Sequence, residues 1–161
     1  MAKLKVGVFS FTCDEGCSMQ ILEALNYMHV PWKNKIDFVD FRLIKTPKNP
    51  LSEMDVAFVE GAIATEDDVK RIKKIRSLAK EVVAIGSCAI VGAPSNHRNF
   101  FDKDLTKKIT PFLKRFKHRE KVQPLKDFIR VDREITGCPI SESDFTECVD
   151  DYIKNLGVKN A

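Results

Sequence analysis

The sequence predicts an α/β fold, a mostly parallel, doubly wound sheet with helices on both faces. Three features predict it. Short apolar runs recur over residues 3–9, 36–41, 55–60 and 81–85. Segments of helical period lie between them. Three apparent strands also run into glycine and cysteine: Val6-Gly7-Val8-Phe9 into Thr12-Cys13-Asp14-Glu15-Gly16-Cys17, Val82-Val83-Ala84-Ile85 into Gly86-Ser87-Cys88, and Phe128-Ile129-Arg130-Val131 into Gly137-Cys138-Pro139.

The first strand covers 3–9. After the first cysteine loop, Met19, Ile21, Leu22, Leu25 and Met28 recur at near-helical spacing and predict a helix over 18–29, ended by Pro31. Partial alternation over 36–41 predicts a second strand. Pro47 and Pro50 mark a loop, followed by a helical turn at 51–54. The largely apolar segment 55–60 reads as an interior parallel strand, closed by Gly61-Ala62.

Thr65 is placed to cap a helix with Asp67 and Asp68 in its first turn, where the dipole favours negative charge. Val69, Ile72, Ile75, Leu78 and Ala79 form its buried stripe. Strand 81–85 follows, and 93–101 reads as a loop. Asp102 or Asp104 caps a helix over 105–116 that Pro111 divides or kinks. A last strand at 128–131 leads to the Gly-Cys-Pro turn. Ser141 caps a final helix with Phe145, Val149, Tyr152, Ile153 and Leu156 on its apolar face and Gly157 at its end.

The 161 residues read as one domain, 1–161, long enough for a sizeable core. A composition of 43% hydrophobic and 31% charged residues is that of a soluble globular protein. No apolar run approaches the roughly 20 residues of a membrane helix, and a strand starts almost at once, so no signal peptide is visible. The expectation is a cytoplasmic protein without direct membrane insertion. A net charge of +4 is too mild to predict nucleic-acid binding. Basic residues are densest over 103–121, a solvated or partner-facing surface. Phe112 and Phe116, four apart within it, fit the buried face of a helix.

Five cysteines without a secretory signal argue against a disulfide framework. Cys13, Cys17, Cys88 and Cys138 stand near strand ends and near Gly16, Gly86 and Gly137, which permit close backbone approach and N–H donation to sulfur. In a parallel sheet those ends share one edge, where ligands collect. Four thiolates match the needs of a 4Fe–4S cluster, and equally of a structural zinc site. Zinc usually sits between two close cysteine pairs, whereas here one pair is joined by two distant single cysteines. Cys148, within the last helix, reads as core packing. No acid–base or nucleophilic constellation is evident. The first βα loop lacks a phosphate-binding Gly-x-Gly, which leaves nucleotide binding weakly supported.

Cys13 and Cys17 after the first strand, Val59-Glu60-Gly61-Ala62 after the third, the Gly-x-Cys-x-x-x-Gly of Gly86 to Gly92, and Gly137-Cys138-Pro139 occur in that order. Together they resemble the small subunit of nickel–iron hydrogenases, and more distantly the cluster-bearing subunit of respiratory complex I. The stretch from Pro94 to Asn99 is similar to the Pro-x-x-Arg-Asn loop of soluble members, with three residues between Pro94 and Arg98.

The resemblance implies a flavodoxin-like domain holding one 4Fe–4S cluster on Cys13, Cys17, Cys88 and Cys138. Glu60 and Gly61 would lie beside it, Glu60 as a proton-path or hydrogen-bonding residue or in a helix-capping role. The nickel–iron centre would belong to a hydrogenase-like large subunit, and electrons would pass on to a ferredoxin-like or flavin-containing subunit. The further clusters of long small subunits would be absent or on other polypeptides, since no second domain is expected after Leu156. Three departures mark a divergent branch. Three residues separate Cys13 from Cys17 where two are common, no glutamate follows Cys17 closely, and the last motif is Gly-Cys-Pro-Ile. An oxidoreductase subunit whose large partner lacks nickel stays open as an alternative, as does a flavodoxin-like binding protein with zinc or no metal.

Overall fold

The computed structural model describes residues 3–46 and 50–157, without the side chains of 156 and 157. The expected loop at Pro47 and the apolar contact of Leu156 lie outside the described residues. Five parallel strands form the main sheet: β1 (Leu4–Ser10), β2 (Ile36–Phe41), β3 (Met54–Glu60), β5 (Ala79–Ile85) and β7 (Arg133–Ile135), in the order β2-β1-β3-β5-β7. Chain order therefore reverses between β1 and β3, the switch point of a doubly wound sheet.

Period-two alternation divides the strands between two cores. Val6, Val8, Val56, Phe58, Val83 and Ile85 face α1 (Gly16–Trp32) and α5 (Glu142–Gly157), packing on Ile21, Ala24, Phe145 and Tyr152. Phe9, Ala57, Val59, Val82 and Ala84 face the other way. They meet Ile72 and Ile75 of α2 (Glu66–Leu78) and Ala89 and Ile90 of α3 (Gly86–Val91). Thr65 caps α2 as expected, accepting from the Asp68 N–H at 3.0 Å while Asp68 accepts from the Thr65 N–H at 2.8 Å.

Register sets the site. Ser10 pairs with Glu60, Glu60 with Ile85, and Ile85 with Ile135. These four residues form one row across the carboxyl ends of β1, β3, β5 and β7; Glu60 stands in it, and the other predicted site residues follow it within seven positions.

Several expectations need correction. The first helix does not stop before Pro31: α1 runs to Trp32 with Pro31 in its last turn, where the missing N–H removes a single bond. Residues 51–53 form neither helix nor turn, and Met54 opens β3. Residues 93–101 contain a short 3-10 helix, His97–Phe100. Pro111 does not divide α4 (Lys103–Arg115), which is continuous and capped by Asp102, whose carboxylate accepts from the Leu105 N–H at 2.8 Å.

Phe112 and Phe116 are exposed rather than buried. The basic stretch continues into a strand that its charges concealed, β6 (His118–Gln123). It pairs antiparallel with β4 (Ile63–Thr65), Val122 meeting Ala62 and Ala64 in a small core of its own. The apolar run 128–131 is not the last strand either. Phe128, Ile129 and Val131 pack on the second core without joining the ladder, and pairing begins where Asp132 meets Val82.

Candidate metal centre

Cys13, Cys17, Cys88 and Cys138 line one recess at the carboxyl edge of the sheet, together with Asp14, Glu60, Gly61, Gly86, Ser87, Gly137 and Pro139. Cys17 is buried in the first turn of α1, Cys13 and Cys88 are partly buried, and Cys138 is exposed. All five cysteines are free thiols. Cys148 lies apart from the recess, buried in the core beneath α5, as expected.

The longer first loop is a compact turn. Asp14 accepts the Gly16 N–H at 3.0 Å, and Glu15 takes the left-handed conformation and pairs with Arg42. The turn ends directly in α1, which places Cys17 at the helix start while Cys13 remains at the strand end. Three residues between the cysteines thus still bring both thiols to the recess.

Glycine is required where the loops come closest. Gly86 has φ +79°, and a Cβ there would stand 2.5 Å from Cys17 Sγ. Gly137, at φ +138°, would place a Cβ 2.5 Å from the Pro139 carbonyl oxygen. The Gly137 carbonyl accepts from both the N–H (2.8 Å) and the hydroxyl (3.1 Å) of Ser87. This ties the Cys88 loop to the Cys138 loop. Thr12 pairs with Ala62 across the recess, and Phe11 N–H donates to the Glu60 carbonyl at 2.9 Å.

Glu60 is a fully buried carboxylate. It accepts from the Ser10 hydroxyl at 2.6 Å, from the Ser18 N–H at 3.2 Å and from the Ser18 hydroxyl. Ser18 N–H is one of the first-turn donors that a helix cannot satisfy itself. Glu60 therefore caps α1 from a neighbouring strand. Ser95 acts similarly on the opposite side. Its hydroxyl donates to the Thr12 carbonyl at 2.9 Å and lies 3.2 Å from Cys88 Sγ. Ser10, Ser18 and Ser95 carry no motif of their own. The signals in the sequence are the place of Ser18 directly after Cys17 and that of Ser95 directly after Pro94.

Burial, and then the charges of Glu60 and Cys88, push the Cys13 thiol up to about 12. Burial pushes Cys17 up to about 11, partly opposed by a backbone hydrogen bond from Ile140. With no cation present, these two groups hold their protons firmly. A bound metal of high positive charge reverses that balance, since thiolate is the ligating form.

Four thiols are the donor set of a cubane iron–sulfur cluster. Among the described residues, no three His, Cys, Asp or Glu side chains converge on a point suitable for a single metal ion. A tetrahedral zinc site needs ligands about 2.0–2.3 Å from one centre. The recess itself encloses only about 20 Å³, so the fit to a cluster rests on the donor set of four thiols at one strand edge.

The sheet order and the thiol-lined recess at its switch-point edge define the class: a doubly wound α/β protein with a cysteine site beyond its strand ends. Residues 13–152 match the family described as NADH ubiquinone oxidoreductase, 20 Kd subunit. The chain belongs to that family. One component of the F420-non-reducing hydrogenase vhu of Methanocaldococcus jannaschii is 31% identical over 84% of this chain and 51% of its own length. The delta subunit of the NAD-reducing hydrogenase HoxS of Cupriavidus necator is 23% identical over 94% of this chain and 79% of its own. The chain spans about half the length of several curated relatives it matches.

Among solved structures, a chain of an NAD+-reducing [NiFe]-hydrogenase superposes with a TM-score of 0.81 at 22% identity, covering 94% of this chain and 92% of that one. A [NiFeSe] hydrogenase chain of Desulfovibrio vulgaris Hildenborough gives a TM-score of 0.66 at 15% identity, covering 96% and 62%. These likenesses establish the α/β fold. Among the described residues, no helix is long and apolar enough to cross a membrane.

Proposed function

We propose that this chain is an electron-relay subunit of a hydrogenase-type oxidoreductase, holding one 4Fe–4S cluster on Cys13, Cys17, Cys88 and Cys138. The observation that carries this reading is the convergence of four thiols from three strand ends on one recess, with Gly86 leaving room for Cys17 Sγ. When bound, such a cluster supplies one-electron transfer at a potential set by burial and hydrogen bonds to sulfur.

The chain's residues supply the setting. Glu60 fixes the first turn of α1 and hence the position of Cys17, Ser87 joins the two distant loops, and Ser95 places a hydroxyl beside Cys88. The partner in this reading is a nickel–iron large subunit facing the recess. A ferredoxin-like or flavin-containing subunit would take the electrons onward. The hydrogenase subunits among the relatives support that assignment. The family description supports a second reading, in which the large partner lacks nickel.

Anaerobic purification of the chain with its associated subunits separates the two readings. A nickel-containing large subunit, with a paramagnetic signal from this chain on reduction, is the expected result. An iron-containing chain whose large partner holds no nickel would favour the second reading. A colourless chain carrying zinc would overturn both.

A further inference from the structure

The excursion between β5 and β7 carries an exposed aromatic surface. α4 is fastened to β6 through the preceding loop. Arg98 donates to the Arg119 carbonyl at 2.8 Å, and Asn99 exchanges two hydrogen bonds with Val122, at 2.7 and 2.9 Å. No residue of α4 is buried. Leu105, Ile109, Phe112 and Phe116 nevertheless follow at steps of four, three and four residues, which aligns them as one stripe. Phe112 is 61% exposed, Phe116 60%, and Phe100 just upstream 77%. Large aromatic side chains left in water together on one surface mark an interaction site more often than a solvated face.

Charge borders the stripe. Lys108 precedes Phe112 by four residues and Arg115 follows it by three, so both adjoin that ring. The Arg115 guanidinium lies 5.5 Å from the Phe116 ring centroid. A recess of about 350 Å³ opens beside the stripe, lined by Ile109 and Leu113 and by Arg98, Lys114, His118 and Glu120 among others. Arg98 Nε is buried without a hydrogen-bond partner. None of the ion pairs among the described residues involves Arg98. Burial disfavours the Arg98 charge and so lowers its pKa, a cost that a carboxylate placed beside the guanidinium would offset.

We propose that α4 and this recess dock an acidic partner protein, which covers Phe112 and Phe116 and directs a carboxylate side chain toward Arg98. A second copy of this chain is disfavoured, because a closed two-fold contact would set this basic patch against the same basic patch. A bilayer is disfavoured because a flat surface does not send a side chain into a recess. The proposal concerns a face apart from the cysteine recess and does not depend on the electron-relay reading.

The test places a photo-crosslinking amino acid at position 112 of the full chain in its native cell, followed by purification of the complex and sequencing of the captured peptide. The expected capture is an Asp/Glu-rich segment of another polypeptide. Its retention should weaken about tenfold or more in Phe112→Ser/Phe116→Ser and in Lys108→Glu/Arg115→Glu, and should weaken in the unmodified complex as salt rises. Four results would overturn the proposal: capture of a second copy, capture of a segment without acidic residues, unchanged retention in both variants, or sedimentation of the chain with phosphatidylserine vesicles through this helix. Iron content, measured on the same preparations, reports on the relay reading separately.

Discussion

Glu60 at the end of β3 and Ser18 in the first turn of α1 are joined twice, through the Ser18 N–H at 3.2 Å and through its hydroxyl. The buried carboxylate thereby anchors the turn that carries Cys17 and places a negative charge near two thiols.

That charge predicts a titration. Glu60 ranks among the causes that raise the Cys13 and Cys17 thiols, after burial. In the metal-free chain, Glu60→Gln should lower both thiol pKa values while leaving them above the ordinary 9.0, because burial persists. Thiolate ultraviolet absorbance followed against pH checks this. An unchanged titration would remove Glu60 from the account.

The same groups set a pH dependence of stability. A thiol raised on folding favours its protonated form in the native state. The stability it contributes is complete below the unfolded value near 9.0 and is lost as pH rises through the folded values of about 11 and 12. Denaturant midpoints of the metal-free chain should therefore fall between pH 9 and 11. Cys13→Ala/Cys17→Ala should flatten that fall.

Gly86→Ala should prevent binding of the proposed cluster. Its Cβ would stand 2.5 Å from Cys17 Sγ at a φ of +79°, and the backbone strain alone costs about 1–3 kcal/mol. Gly92→Ala is the matched control. It has φ +84°, and the nearest contact of a Cβ there is the Asn96 side chain at 3.0 Å rather than a thiol. Iron per chain should drop in the first variant and hold in the second, while both lose thermal stability.

Cys148→Ser should do the reverse of a ligand substitution. Cys148 is 3% exposed in the core beneath α5, so a hydroxyl there costs about 1–3 kcal/mol for want of a partner. Iron content should stay unchanged while the melting temperature falls.

The last strand of the sheet depends on Asp132. Its carboxylate accepts from the Val82 N–H at 2.8 Å and pairs with Arg76. Asp132→Ala should destabilise the chain by about 1–3 kcal/mol through the unpaired N–H and guanidinium. It should also loosen the Cys138 loop that follows β7. Chemical denaturation and the hydrogen exchange of Gly137 and Ile140 amides report the two effects.

The legible parts of the sequence were those where one physical signal dominates. β3 and β5 each carry an unbroken apolar run, Val56–Val59 and Val82–Ile85, because both faces of an interior parallel strand are covered there, and Thr65 announces α2 through its capping pattern. β6 was not legible, since only Val122 is buried in the charged segment His-Arg-Glu-Lys-Val-Gln. The run 128–131 misled because burial and ladder pairing are separate. Its apolar side chains fill the second core while Arg133–Ile135 makes the hydrogen bonds. The prolines in α1 and α4 misled because one lies in a last turn and the other on an exposed helix, where water can take the freed carbonyl. For the site, glycine and cysteine at strand ends pointed to the recess. The serines that organise it acquire their partners only through the sheet register, which pairs Ser10 with Glu60.

The central claim is that the four thiols hold one iron–sulfur cluster, and metal stoichiometry in a cysteine series tests it most directly. Anaerobically purified chain should contain about four irons and four acid-labile sulfides. Cys13→Ala, Cys17→Ala, Cys88→Ala and Cys138→Ala should each lose or degrade that content, and Cys148→Ala should keep it. Full iron and sulfide retained in Cys13→Ala, or zinc in place of iron in the unaltered chain, would contradict the account.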